Sequence, residues 1–165
     1  TSLEVLDLEV EYFPHFFSFF FLVRFNPYCF LFLHCDSQNN QLRYPGFDRF
    51  ATVVRHCPAL HTLNLSFNLI GPLGGPRLAR ALEYLPNLRV LNIMFNDLRI
   101  SGIASVTAVL PRCCPQLESL NVSDNALAVD GTAHLAACLP KLKHLRSLSM
   151  CANQFELRAA QHLSR

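Results

Sequence analysis

The sequence predicts an α/β solenoid with parallel strands lining a concave face and helices on the convex face, on three observations. The first is self-similarity. Leu60-His-Thr-Leu63-Asn-Leu65-Ser-Phe-Asn68-Leu-Ile70 is echoed by Leu88-Arg-Val-Leu91-Asn-Ile93-Met-Phe-Asn96-Asp-Leu98 and by Leu117-Glu-Ser-Leu120-Asn-Val122-Ser-Asp-Asn125-Ala-Leu127. A further copy runs from Leu145 through Leu148, Met150 and Asn153 to Phe155. The copies start at Leu60, Leu88, Leu117 and Leu145, so the frame advances by a nearly constant step. The second observation is a change of hydrophobic period within each unit, from two in the strand phrase to helical spacing after it. The third is a glycine six residues after an asparagine, at Gly46, Gly74, Gly102 and Gly131, with Ala159 in the last unit.

Extending the frame backwards gives Phe32, Cys35, Ser37, Asn40 and Leu42, a degraded copy, and then Leu3, Leu6, Leu8 and Glu11. The single domain 1–165 therefore holds units starting near 3, 32, 60, 88, 117 and 145. Residues 12–31 break the pattern. Phe13 to Leu33 contains nine of the fourteen phenylalanines, and Phe17 stands where the glycine is due. This stretch reads either as a divergent convex helix or as a segment altered at the transcript level that does not pack. Pro14, His15, Arg24, Asn26 and Pro27 interrupt it, so Phe16 to Val23 falls short of the roughly 20 residues a spanning helix needs.

Each strand phrase alternates, so its leucines point inward and the residues between them outward. The asparagine follows where the chain leaves the strand, and its amide both donates and accepts. Asn40, Asn68, Asn96, Asn125 and Asn153 are expected to form a buried ladder serving backbone groups that no sheet satisfies. Helical spacing follows in Leu73, Leu78, Ala81, Leu82 and Leu85, with Pro86 as a stop, and in Ile103, Val106, Val109 and Leu110 before Pro111. A strand and a helix of this kind cannot bury their own apolar faces, so neighbouring units must stack.

The phrase LxxLxLxxNxL, recurring at this step, resembles the leucine-rich repeat, and its helix-long form resembles the ribonuclease-inhibitor-like subclass. The match runs from about Phe32 to Arg165 and takes in Thr1 to Glu11 as one more strand. The first unit begins at its strand and the last stops soon after Leu163, which gives the expectation of a fragment of a larger protein. The resemblance implies parents such as nucleotide-binding innate immune receptors, where such a tail senses ligand or autoinhibits, or Tonsoku-like genome-maintenance proteins.

Three outward columns are expected on the concave face. The first is Val5, His34, Thr62, Val90, Ser119 and Ser147. The second is Asp7, Asp36, Asn64, Asn92, Asn121 and Ser149, and the third Glu9, Gln38, Ser66, Met94, Ser123 and Cys151. The surface is polar and nearly uncharged, which suits recognition of a partner protein by register and shape. Phe67 and Phe95 are candidate anchors beside it, or else stack on each other within the core.

Other classes find little support. Charged residues are 16 % of the chain and the net charge is +2, too little for a broad cationic field. Lys141, Lys143, His144 and Arg146 cluster without interleaved aromatics, which reads as a solvated loop. No HExxH, GxxxxGK or GxSxG occurs, and the seven histidines are dispersed. Gly71, Gly74 and Gly75 read as a turn between strand and helix rather than a phosphate loop. The expectation is a non-catalytic scaffold with no cofactor, metal, small-molecule substrate, nucleic acid or membrane partner. Seven cysteines without a CxxC pair point to buried thiols in a reducing compartment, cytoplasmic or nuclear. Glu4, Asp7, Glu9 and Glu11 have the wrong sign for a secretory leader. Asn64-Leu-Ser66 and Asn121-Val-Ser123 match the glycosylation acceptor but arise from the repeat phrase itself.

Overall fold

A computed structural model describes the backbone of residues 31–32 and the full structure of residues 54–154. Within these residues the chain alternates strand and helix: β1 (Leu31–Phe32), β2 (Thr62–Asn64), α1 (Gly71–Leu82), β3 (Val90–Asn92), α2 (Arg99–Cys113), β4 (Ser119–Asn121), α3 (Ala128–Cys138), a 3-10 turn (Leu139–Lys141) and β5 (Ser147–Ser149). The strands form one parallel sheet in the order β1-β2-β3-β4-β5. Thr62, Val90, Ser119 and Ser147 lie side by side, as do Asn64, Asn92, Asn121 and Ser149, which is the register the repeat frame predicts.

The repeat strands are short because each contributes one inward leucine. Leu63, Leu91 and Leu120 are buried, and Leu65, Ile93 and Val122 bury a second row just beyond. The helices close the core from the other side with Leu78 and Leu82 of α1, Ile103, Val106 and Leu110 of α2, and Leu135 of α3. Burying one such side chain is worth about 1.5–3 kcal/mol, and rows from neighbouring units join into one continuous cluster.

Before each strand the chain makes the same turn, where the N–H of Leu60, Leu88, Leu117 and Leu145 donates to the carbonyl of Cys57, Leu85, Cys114 and Leu142. Those four acceptor residues are all buried. Cys57 and Cys114 thus occupy a repeat position filled elsewhere by leucine, and both are buried there as small side chains. Burial pushes the Cys114 thiol up to about 12, helped by neighbouring Cys113, and burial pushes Cys138 up to about 11 against the opposing pull of Lys141.

The asparagine ladder is present at Asn68, Asn96, Asn125 and Asn153, each essentially inaccessible to solvent. Asn40 lies outside the described residues. Asn96, Asn125 and Asn153 each bridge two units. Asn96 Nδ2 donates to Leu65 O at 2.7 Å across the repeat boundary and to Ile93 O and Met94 O within its own unit, both at 3.0 Å. Its Oδ1 accepts from the N–H of Asn68 at 3.1 Å and of Ile70 at 3.3 Å. Asn125 repeats the bridge to Leu98 N and Ile93 O, and Asn153 to Asn125 N and Val122 O.

This arrangement explains how the helices begin without side-chain caps. An uncapped start leaves N–H groups unsatisfied. Here the backbone carbonyls of Asn96, Asn125 and Asn153 take the N–H of Gly71, Arg99 and Ala128. It also holds an unusual backbone. The residues on either side of each ladder asparagine are left-handed: Phe67 and Leu69, Phe95 and Asp97, Asp124 and Ala126, Ala152 and Gln154. The helix starts at Gly71, Arg99 and Ala128 are left-handed as well. Outside glycine each such residue costs roughly 1–2 kcal/mol, which the amide bridges offset.

Several expectations need correction. Gly74 is not part of a strand-to-helix turn. It lies inside α1, where a Cβ would come within 2.5 Å of the Ile70 side chain, and Gly75 lets α1 approach α2 so closely that a Cβ would lie 2.4 Å from Gly102 Cα. Pro111 does not stop α2, which continues to Cys113. A proline removes a hydrogen bond to the preceding turn and clashes with it, yet the helix runs on through Pro111 for two more residues. Leu73 is 71 % exposed rather than core, because glycines make the α1–α2 contact. Finally, Leu63 pairs with Leu31 and Asn64 with Phe32, a longer step along the chain than the one from Leu63 to Leu91. The strand falls on Leu31–Phe32, a better strand-forming pair than the His34-Cys35-Asp36 expected there. Residues 1–30, 33–53 and 155–165, including Val5, Asp7, Glu9, His34, Asp36, Gln38 and Gly46, lie outside the described residues.

Candidate functional site

The sheet face opposite the helices is built from the residues between the inward leucines. Thr62, Val90 and Ser119 form one half-buried column, and Asn64, Asn92 and Asn121 a second. Ser147 and Ser149 extend both columns and are exposed. Adjacent strands place successive members about 4.8 Å apart.

The second column is more ordered than its polarity alone suggests. Asn64 Oδ1 accepts from the N–H of Ser66 at 3.0 Å and from Ser66 Oγ at 2.8 Å. Asn92 Oδ1 accepts from Met94 N at 3.1 Å, and Asn121 Oδ1 from Ser123 N at 3.0 Å. A backbone N–H can only donate, so the side-chain atom it meets is fixed as the oxygen. None of the three Nδ2 groups makes a hydrogen bond to a protein acceptor among the described residues.

The third column is interrupted as a surface. Ser66 and Ser123 are buried, 3 % and 6 % exposed, and Ser123 Oγ accepts from Cys151 N at 3.1 Å. Met94 is half-buried and Cys151 exposed. The serines close the turn that leaves the strand, and this gives the Asn-x-Ser phrase a structural role.

Both edges of the face have a definite chemistry. At the strand starts, the N–H of Arg89, Glu118 and Arg146 donates to the carbonyl of His61, Arg89 and Glu118, so these four residues stand in register beside the first column. Arg89 approaches Glu118 at 3.7 Å, and Lys143 and Arg146 are exposed nearby in sequence. At the other edge Phe67 and Phe95 stack with ring centroids 5.0 Å apart and planes at 29°. Phe95 is still 47 % exposed, so the pair both stacks and faces solvent. Leu69, Leu73 and Ile100 are exposed in the loops and first helical turns that follow, and Asp97 is paired with Arg99 at 3.0 Å.

Sequence reasoning identified the two columns but missed the arginine-bearing edge and the fixed direction of the amides. The signal for the latter was present in Asn64-Leu-Ser66 and Asn121-Val-Ser123, since an asparagine readily binds its own backbone two residues on.

Residues 56–79 and 84–106 match the family model described as Leucine Rich repeat. Two leucine-rich repeats are present in this chain. The matches begin at positions 56 and 84, one repeat apart, and each spans a strand and the start of its helix. Together with the parallel sheet and its helices they fit an α/β leucine-rich-repeat fold. Repeats of this kind generally mediate interaction between proteins. No curated protein matches the chain. Among the described residues no group of three or more His, Cys, Asp or Glu could hold a metal, and no helix is long and apolar enough to cross a membrane.

Proposed function

We propose that this chain is a non-catalytic scaffold that binds a partner protein through the outward face of its sheet. In this reading the stacked repeats continue as a horseshoe-shaped solenoid of the ribonuclease-inhibitor-like subclass, with Thr62, Asn64, Val90, Asn92, Ser119, Asn121, Ser147 and Ser149 on its concave side. It works inside the cell without cofactor, nucleic acid, lipid or small-molecule substrate. The observation that supports it is the register of the two polar columns, which makes a rigid, extended surface of the kind that recognises another protein. Replacing Asn64, Asn92 and Asn121 together by Arg is the test. Captured partners, identified by mass spectrometry, are lost while the far-ultraviolet circular dichroism is unchanged; partners retained by the triple variant would sink the sheet-face reading.

A further inference from the structure

The exposed apolar side chains are gathered at one edge of the molecule. Among the described residues five large apolar side chains are exposed, and four of them, Leu69, Leu73, Phe95 and Ile100, stand where the chain leaves β2 and β3 and enters α1 and α2. Half-buried Phe67, stacked on Phe95, joins them. We infer that this edge is a docking surface for an amphipathic helix of a partner protein, one whose apolar stripe ends in a Lys or Arg. No step of the inference uses Asn64, Asn92 or Asn121, so it stands or falls separately from the sheet-face reading.

The fold itself does not call for these side chains. In the unit of β4 and α3 the places of Phe95, Leu69 and Leu73 are held by Asp124, Ala126 and Asp130. Asp124 and Ala126 adopt the same left-handed turn as Phe95 and Leu69, and Asp130 sits in the first turn of its helix as Leu73 does. Polar or small residues thus complete the same architecture. Exposed apolar residues scattered singly are ordinary, but a patch of them marks an interaction site.

The backbone of this edge favours a helix over an added strand. The N–H groups of Phe67 and Gly71 donate to Met94 O and Asn96 O, and those of Phe95 and Arg99 to Ser123 O and Asn125 O. Asn68 and Ile70 N–H meet Asn96 Oδ1. These donors are engaged, so recognition here rests on side chains, and a helix brings a backbone that is already satisfied.

Charge sets the polarity of the occupant. Asp97 is paired with Arg99 at 3.0 Å, and Arg77, one turn beyond Leu73, is half-buried. At the α3 side of the patch, Asp124 follows Ser123, whose carbonyl takes the Phe95 N–H, and Asp130 precedes Gly131, where a Cβ would lie 3.7 Å from Ile100 Cα. Neither acid has an ion pair among the described residues. Two carboxylates at one end of an apolar patch suit a cation at the end of the partner's stripe. They also repel the anionic headgroups that attract amphipathic surfaces to a membrane, which favours a protein over a bilayer.

The test uses the full chain and a fluorescein-labelled helical peptide with Leu at i, i+3, i+4 and i+7 and Lys elsewhere, read by fluorescence anisotropy. Controls replace every Lys by Glu, or every Leu by Ser. The Leu-Lys peptide is expected to bind, and both controls to bind at least about tenfold more weakly. Leu69→Ala with Leu73→Asp and Phe95→Asp, residues the chain already uses at the equivalent places, is expected to weaken the Leu-Lys peptide at least about tenfold. Leu73→Ser, matching Ser101, is expected to weaken it in the same direction and keeps the test decisive if the triple variant folds poorly. Asp124→Asn with Asp130→Asn is expected to weaken the Leu-Lys peptide and to narrow its margin over the Leu-Glu control. No binding by the full chain, equal binding of the Leu-Glu peptide, or binding unmoved by the Leu and Phe variants would overturn the inference. So would sedimentation showing a dimer that the triple variant disperses, which gives the patch to a second copy, or flotation with phosphatidylserine-containing vesicles that the triple variant abolishes, which gives it to a membrane.

Discussion

Replacing Asn96 by alanine is the sharpest probe of what holds neighbouring repeats together. The amide takes part in five hydrogen bonds, but the loss is not five bonds' worth. Of its three acceptors, Leu65 O retains Asn68 Nδ2, Ile93 O retains Asn125 Nδ2 and Met94 O retains Phe67 N. The unreplaced groups are the two donors it accepts from, Asn68 N–H and Ile70 N–H, both on buried residues. Each orphaned buried donor costs about 1–3 kcal/mol, so Asn96→Ala is expected to destabilise by about 2–6 kcal/mol. Asn68 supplies an internal control. Its Nδ2 bonds are the same kind, but its Oδ1 is buried with no hydrogen-bond partner among the described residues, so Asn68→Ala orphans no N–H among them. Its cost should be about 1–2 kcal/mol. Urea titration followed by circular dichroism resolves the two, because a gap of about 3 kcal/mol at a slope of about 2 kcal/mol per molar shifts the midpoint by about 1.5 M. Equal midpoints would show that the ladder works through packing rather than through orphaned donors.

Two further outcomes follow from buried geometry. Gly75→Ala puts a methyl 2.4 Å from Gly102 Cα, so α1 and α2 must separate at a cost of about 1–3 kcal/mol, seen as a lower melting temperature, whereas Gly71→Asn, at a left-handed position with open space around it, should change it little. The Cys114 and Cys138 thiols, raised to about 12 and about 11 from 9.0, keep protons that the unfolded chain releases. Their contribution to stability is full below about pH 9 and falls as pH rises from there through the folded values; urea midpoints across that window should drop, and less steeply in Cys114→Ala.

The parts of this fold legible in the sequence are those written in side-chain alternation. Inward Leu63, Leu91 and Leu120, the register of the two outer columns and the asparagine ladder all follow from a strand period of two nested inside the longer period of the repeat. What escaped is written in the backbone. Phe95 and Arg99 give no hint that each is left-handed, since among the equivalent positions only Gly71, and more weakly Asp97 and Asp124, are residues that tolerate such a conformation. Leu73 has the spacing of a core residue, and only the closeness of Gly75 to Gly102 leaves it outside. Ser66 and Ser123 alternate like surface residues, yet the chain has already begun to turn and carries them inward. The two outer columns were therefore readable, but the width of the exposed face was not.

The same asparagine chemistry serves two purposes a few residues apart. In Asn96 and in Asn92 alike, Oδ1 accepts from backbone N–H groups and so fixes which way the amide points. At Asn96 the Nδ2 group then meets carbonyls of two units and holds them together. At Asn92 the same constraint leaves Nδ2 with no carbonyl to meet among the described residues. Alternation along the strand decides between the two, since Asn92 leaves the sheet plane opposite to Leu91 and Ile93 while Asn96 lies past the strand, where the chain folds back over the core. Side chains whose orientation is already set by a bond to the backbone lose little rotamer freedom on any later contact, so this column is ordered in advance.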